Sequence, residues 1–211
     1  MERVAIIGCG DLGKQFAHFM ASDSNIDVVG FFDDYTPKGE EVNGTRVLGD
    51  LKEIESLYTS KVFDSLICGI GYKYLKEKFS ICEQLELKGI PFYTYIHPNS
   101  IIDSSSVISV GSFIYPGVIV DQNVVIGKHS ILNLGSIISH DSKIGNSCFL
   151  SPNVSVAGFC EIKDYCILGI SSIIIDNIEI CESVQLGAGS LVIKNINEPG
   201  LYVGSPSRKI K

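Results

Sequence analysis

The chain has 211 residues, of which 45% are hydrophobic, 19% are charged and only 7 are proline, a composition that predicts a folded protein and excludes a disordered one. Its 17 basic and 24 acidic residues give a net charge of −7, with no basic cluster beyond Arg208, Lys209 and Lys211, so no nucleic-acid partner is expected. Because no apolar run can cross a bilayer and no signal-like segment opens the chain, we expect a cytoplasmic protein without a membrane partner.

The first part of the chain, residues 1–97, predicts strands that alternate with helices. It holds 25 of the 41 charged residues. Hydrophobic patterning predicts strands over 4–7, 26–32, 65–70 and 92–95, and helices over 14–20, 51–57 and 74–87. Such alternation is typical of a parallel α/β sheet. We therefore predict a small Rossmann-like domain that ends near His97.

A glycine-rich segment from Gly8 to Gly13, Gly-Cys-Gly-Asp-Leu-Gly, joins the first expected strand to the first expected helix, and Asp33 and Asp34 end the next strand. Taken by itself, this is the pattern of a dinucleotide-binding loop followed by a ribose-binding acid. It leaves open a nicotinamide-dependent oxidoreductase, a pocket for another nucleotide and a purely structural turn. Gly71 follows a further strand and is expected at the same sheet edge.

The second part, residues 98–211, has a different period. Residues 102–192 hold only 11 charged residues. In steps of six, every position is Ile, Leu or Val: Ile102, Ile108, Ile114, Val120, Ile126, Leu132, Ile138, Ile144, Leu150, Val156, Ile162, Leu168, Ile174, Ile180, Leu186 and Val192. Four residues after each of these comes Ser, Cys, Val or Ile. A period of six does not fit an α-helix and indicates a solenoid.

This pattern resembles the hexapeptide-repeat left-handed parallel β-helix, in which three hexads form one triangular coil. The resemblance implies 18 residues per coil, with large and small residues alternating inside. Cys148 and Cys166 are 18 residues apart and are expected to be stacked interior neighbours. The seven cysteines are odd in number and lack CxxC spacing, so we interpret them as reduced thiols without a disulfide framework.

Within the repeat, His140 lies between two inward positions, so its side chain is expected to face outward, where an imidazole can accept a proton at neutral pH. A solvated surface histidine is the alternative. His129 is also expected to face outward, but two histidines in the repeat do not make a three-histidine zinc site, so no metal is predicted.

A more specific resemblance is to the sugar acyltransferases of the bacillosamine-pathway N-acetyltransferase and sialic-acid O-acetyltransferase family. The matching segments are Ile131 to Asn133, His140-Asp141 with Ile144-Gly145, Gly158, Leu168 to Ile170, Leu186 to Gly189 and Tyr202 to Arg208. The resemblance implies a homotrimer that binds acetyl-CoA between two β-helices and acetylates a nucleotide-linked sugar. It further implies that His140 is the general base, that Asp141 raises its basicity and that Asn133 positions a substrate.

The same resemblance implies an acetyl-CoA track over Gly158, Gly169, Ile170, Gly187 and Ala188, although each glycine also suits a coil corner. Phe149 stands where many relatives carry a second histidine near the acyl carbonyl. In the N-terminal domain the family binds the nucleotide of its sugar substrate, which implies contacts from Gly8, Gly10, Asp11, Leu12, Asp33, Asp34 and Gly71. Asp11 and Leu12 replace the Gly-His that the family loop more often has there.

The sequence thus predicts an acetyl-CoA-dependent N-acetyltransferase for the amino group of a nucleotide-linked amino or aminodeoxy sugar in glycan biosynthesis. No cysteine or serine beside His140 is activated as a nucleophile by its sequence context, which favours direct transfer in a ternary complex. Sugar O-acetylation of the sialic-acid type is the alternative within the family. A nicotinamide-dependent oxidoreductase and a non-catalytic sugar-nucleotide sensor are the alternatives from other classes.

Overall fold

The structure, a computed structural model, describes every residue from Met1 to Lys211. It divides into two compact units, residues 1–93 and 94–211. The first unit is an α/β domain and the second is a parallel β-helix, so the predicted fold class is confirmed. None of the helices is long and apolar enough to cross a membrane.

The N-terminal unit is built on a five-stranded sheet with the order β3-β4-β2-β1-β5, parallel except for the β3–β4 pair. Its strands are β1 (Glu2–Ile7), β2 (Ile26–Phe32), β3 (Glu41–Val42), β4 (Thr45–Gly49) and β5 (Ser65–Cys68). Its helices are α1 (Asp11–Met20), α2 (Ile54–Thr59) and α3 (Leu75–Leu87), with 3₁₀ turns at Leu51–Glu53 and Tyr72–Tyr74.

Several element boundaries in this unit differ from the sequence prediction. Helix α1 begins at Asp11 instead of residue 14, with Gly10 as its N-cap. Strand β5 ends at Cys68 because the chain then turns against α1: a Cβ on Gly69 would lie 2.8 Å from the Gly13 Cα. The strand expected over 92–95 does not join this sheet: Phe92 makes a single bridge to Leu66, and Tyr95 begins a strand of the C-terminal unit.

The C-terminal unit is a β-helix whose short strands form three parallel sheets, which we call the first, second and third faces in chain order. The first face contains β7 (Ile101–Ile102), β10 (Ile119–Val120), β13 (Ile137–Ile138), β16 (Ser155–Val156), β19 (Ile173–Ile174) and β22 (Leu191–Val192). The second contains β8 (Val107–Ile108), β11 (Val125–Ile126), β14 (Lys143–Ile144), β17 (Glu161–Ile162) and β20 (Glu179–Ile180). The third contains β6 (Tyr95–Ile96), β9 (Phe113–Ile114), β12 (Ile131–Leu132), β15 (Phe149–Leu150), β18 (Ile167–Leu168), β21 (Val184–Leu186), β23 (Gly200–Val203) and an antiparallel β24 (Arg208–Lys209).

The coil register follows the six-residue period. Paired strands of one face are 18 residues apart, as in Ile119 with Ile137 and Leu132 with Leu150, except that β23 pairs with β21 at a spacing of 16. From Ile114 onward every large aliphatic position of the period is buried, and so are Cys148 and Cys166 as expected. In the first coil Ile102 and Ile108 are partly exposed, since no earlier coil covers them.

Tight turns join the faces and define three edges, named after the face whose strands precede them. Most of these turns place one residue in the left-handed conformation; on the first edge these are Asn123, Asp141, Phe159 and Asn177. This conformation suits Gly, Asn and Asp best. The edges therefore present ladders of side chains spaced one coil apart.

One expectation about this unit is wrong. His129 lies on the second edge and is fully buried instead of outward. Its ring occupies the space beside Gly111 one coil earlier, where a Cβ would lie 2.1 Å from the imidazole Nδ1.

Candidate active site

His140 and Asp141 form an oriented pair on the first edge. The imidazole Nδ1 lies 3.0 Å from Asp141 Oδ2, and Asn123 one coil earlier donates to the other carboxylate oxygen at 3.1 Å. The hydrogen bonds from His140 and Asn123 lower the pKa of Asp141. An ionised carboxylate only accepts hydrogen bonds, so Nδ1 carries the proton and Nε2 of the neutral ring is left as the basic nitrogen. The imidazole is partly exposed, as a general base requires.

Gly158 and Phe159, one coil later, lie against the same imidazole. A Cβ on Gly158 would come within 2.9 Å of Nε2 and 2.7 Å of Cε1, so the space left by this glycine accommodates the His140 ring. The Phe159 ring stands edge to face on the imidazole, with centroids 5.1 Å apart. In this chain Gly158 thus makes room for the imidazole, and an acetyl-CoA contact by Gly158 stays a prediction.

The other expected acetyl-CoA residues lie on the third edge. Asn133, Gly169 and Gly187 occupy equivalent turn positions, with Ser151 between the first two, and Ile170 and Ala188 follow the two glycines. A Cβ on Gly169 would lie 2.5 Å from the Leu186 carbonyl oxygen, and one on Gly187 would lie 2.7 Å from Val203. Both glycines therefore permit close packing of coils, while Ile170 and Ala188 are exposed. The Asn133 side chain accepts a hydrogen bond from the Leu134 amide at 2.7 Å.

Within a single chain, the His140–Asp141 pair of the first edge and the expected acetyl-CoA residues of the third edge lie apart. The third-edge turns precede the strands of the first face and the His140 turn follows β13 of that face, so the groups lie at opposite ends of these strands. Phe149 belongs to neither edge. It is a strand residue of the third face, is 7% exposed and is in register with Ile131 and Ile167. A shared acetyl-CoA site consequently needs more than one copy of the chain.

The N-terminal unit contains a cavity of about 540 Å³ at the carboxyl ends of β1, β2 and β5. Of the predicted sugar-nucleotide residues, Gly8, Gly10, Asp33, Asp34 and Gly71 line it, whereas Asp11 and Leu12 do not. The carboxyl ends of parallel strands are the usual ligand site of such sheets. No Lys or Arg lines the cavity. The α1 N-terminus, which no side chain caps, offers unpaired backbone N–H groups that suit a phosphate.

Asp33 and Asp34 differ in how many hydrogen bonds their carboxylates accept within the domain. Asp33 accepts from the backbone amides of Cys9, Tyr35 and Thr36 at 2.9–3.0 Å. Burial raises the pKa of Asp33, but these donors outweigh it and leave the pKa below its ordinary value. Asp33 therefore fixes the glycine loop, while Asp34 is exposed and uses only Oδ1, accepting from the Leu51 amide. The structure thus leaves Asp34 as the better candidate for a ligand contact.

The sequence prediction missed several residues that line this cavity: Tyr35, Leu51, Tyr74, Glu77 and Ile81. Tyr35 directly follows the aspartate pair and is 97% exposed, and Tyr74 is 58% exposed. Exposed aromatic rings beside a glycine loop are a usable signal, since aromatic side chains stack on planar bases. Leu51, Glu77 and Ile81 come from segments that no motif marks.

Comparison with known proteins gives a family for the N-terminal part and a fold for the whole. Residues 3–81 match the family model described as the PglD N-terminal domain. A comparison with curated proteins gives no match.

Three solved structures superimpose on the chain. A variant of GDP-perosamine N-acetyl transferase from Caulobacter crescentus, in complex with CoA and GDP-perosamine, is 23% identical with a TM-score of 0.91, covering 100% of this chain and 98% of that one. The acetyltransferase domain of PglB from Neisseria gonorrhoeae FA1090, with acetyl coenzyme A, is 22% identical with a TM-score of 0.87 and covers 99% of both chains. WeeI from Acinetobacter baumannii AYE is 23% identical with a TM-score of 0.83 and covers 100% of both. The expected resemblance is confirmed, for the N-terminal domain by the family model and for the whole chain by its fold.

Proposed function

We propose that this chain transfers an acetyl group from acetyl-CoA to the amino group of a nucleotide-linked amino sugar. Its residues 3–81 match the PglD N-terminal domain, and the whole chain has the fold of the matched acetyltransferases. The observation that carries the proposal is the His140–Asp141 pair, with Nδ1 bound to the carboxylate at 3.0 Å and Nε2 left to accept a proton. Two relatives with this fold hold CoA or acetyl-CoA, and one also holds GDP-perosamine. These ligands are the two substrate types that the proposal requires.

The chemistry fits direct transfer between two bound substrates. The sugar amine attacks the thioester carbonyl, and His140 Nε2 takes the proton that the nitrogen loses. The carbon–sulfur bond then breaks, and the CoA thiolate takes up that proton from the imidazolium and leaves as the thiol. Asp141 holds the imidazole in the required tautomer and stabilises the imidazolium that forms. The interior cysteines Cys148 and Cys166 are buried, so neither presents a thiol for a covalent intermediate. Positioning of both substrates then supplies much of the rate.

The cavity of the N-terminal unit is proposed to bind the nucleotide of the acceptor. No cationic side chain lines it, and the Gly8 and Cys9 amides already donate hydrogen bonds within the domain. The pyrophosphate is therefore expected at the Gly10 amide and the first amides of α1. The exposed carboxylate of Asp34 suits the N–H and O–H donors of a base or ribose and would repel a phosphate. The rings of Tyr35 and Tyr74 suit the flat face of a base.

We further propose a homotrimer with the acetyl-CoA site between copies. The first face exposes a row of isoleucines, Ile101, Ile119, Ile137 and Ile173, each 37–66% exposed. Burying this row against another copy is favourable and would bring a third edge next to a neighbour's first edge, completing the site.

Light scattering tests this assembly and is expected to give about three times the 22.9 kDa chain mass. A monomer at micromolar concentration would rule out the shared site.

Replacement of the proposed base tests the reaction. His140→Ala is expected to lower kcat by about two to four orders of magnitude, the usual range for loss of a general base. Asp141→Asn is expected to cost less, because the imidazole remains, and to change the pH dependence of the rate. Release of CoA thiol measures both, and the mass of the assembly is the control for folding. Retention of more than about a third of the wild-type rate in His140→Ala would make His140 a bystander.

The two aspartates of the cavity give a second test. Asp34→Ala is expected to raise KM for the sugar nucleotide about ten- to hundredfold, through loss of hydrogen bonds to an ionised group, and to leave KM for acetyl-CoA nearly unchanged. Asp34→Asn keeps an acceptor for the Leu51 amide and so separates ligand binding from loop support. Asp33→Ala is expected instead to destabilise the domain. Equal acetylation of the free sugar and its nucleotide form would show that the cavity is not the acceptor site.

A further inference from the structure

Phe159 departs from the other residues of its ladder. The left-handed positions of the first edge are occupied by Asn123, Asp141, Phe159 and Asn177, with φ between 56° and 59°. Asn and Asp tolerate this conformation, whereas it is costly for a bulky aromatic residue. Within one chain Phe159 is also 57% exposed, so packing inside the chain does not offset that cost. A strained, exposed apolar residue at one position of a polar ladder points to a functional role.

The Phe159 ring lies beside the imidazole of His140. Phe159 contacts the imidazole of His140 edge to face at a centroid distance of 5.1 Å. Nδ1 is bound to Asp141, and the adjacent Gly158 approaches Nε2 and Cε1. The imidazole covers only part of the phenyl ring. The rest therefore stands beside the base that the acceptor amine must reach.

We propose that Phe159 is a specificity-determining residue for the acceptor, an inference that rests on the proposed function. Its exposed surface contacts the substituent on the ring carbon next to the amino group of the sugar. It therefore favours acceptors in which this substituent lacks a hydroxyl group, such as a methyl group. A phenyl ring has no nitrogen or oxygen atom to hydrogen-bond a hydroxyl group. A hydroxyl group in contact with the ring therefore loses its hydrogen bonds to water without replacing them.

The test compares two acceptors that share nucleotide, sugar stereochemistry and amino position and differ only in a methyl or hydroxymethyl group on the adjacent ring carbon. The wild type is expected to prefer the methyl acceptor about ten- to hundredfold in kcat/KM. Phe159→Asn restores the residue type of the ladder and is expected to reduce the preference to about threefold or less. Phe159→Leu stays apolar and is expected to keep most of it. Asn177→Ala, one coil later on the same edge, is the matched control and is expected to leave it unchanged.

The outcomes separate this inference from the proposed function. An unchanged preference in Phe159→Asn, or a wild type that acetylates both acceptors equally, overturns the role of Phe159 and leaves the acetyltransferase intact. If Phe159→Asn no longer assembles, Phe159→Leu decides, and loss of assembly there as well shows that the ring packs between copies and overturns the inference. A wild type inactive with both acceptors, and with every other amino-sugar nucleotide, overturns the proposed function and this inference with it.

Discussion

The register of the β-helix is the constraint on which the candidate site depends. Parallel pairing places residues 18 positions apart next to each other, and each turn repeats one backbone conformation. Three separate stretches of chain therefore meet at the imidazole of His140: Asn123 reaches it through Asp141, and Gly158 and Phe159 contact it from the following coil. A slip of one residue would turn every inward aliphatic outward. The same hydrophobic burial that stabilises the coil thus fixes the orientation of this imidazole.

The proposed reaction divides its two substrates between chemically different surroundings. The cavity of the N-terminal unit offers carboxylates, tyrosine rings and backbone amides but no cationic side chain. The β-helix offers an oriented imidazole and exposed aliphatic side chains. Within one chain the first and third edges lie at opposite ends of the first face, so the proposed acetyl-CoA site would have to form between copies.

Much of the fold was predictable from the sequence because it depends on periodic burial. The positions Ile114 to Val192 of the six-residue series are buried as predicted, and the chain spacing alone placed Gly158 on the edge of His140. Features that depend on local packing were not predictable. His129 is buried because Gly111 one coil earlier leaves space for its ring, and the commitment of Asp33 to three backbone amides follows from the path of the loop. The site roles of Asn133 and Phe149 stay predictions, since they concern other copies of the chain.

The most direct test of the account is CoA release by the wild-type protein with acetyl-CoA and a panel of UDP-, dTDP- and GDP-linked amino sugars, alongside the matching sugar alcohols. The account predicts that thiol release requires an amino-sugar nucleotide and yields the N-acetylated product in equal amount. Release with the sugar alcohols instead would make the protein an O-acetyltransferase. No release with any acceptor, from a protein shown to be folded and assembled, would contradict the account at its centre.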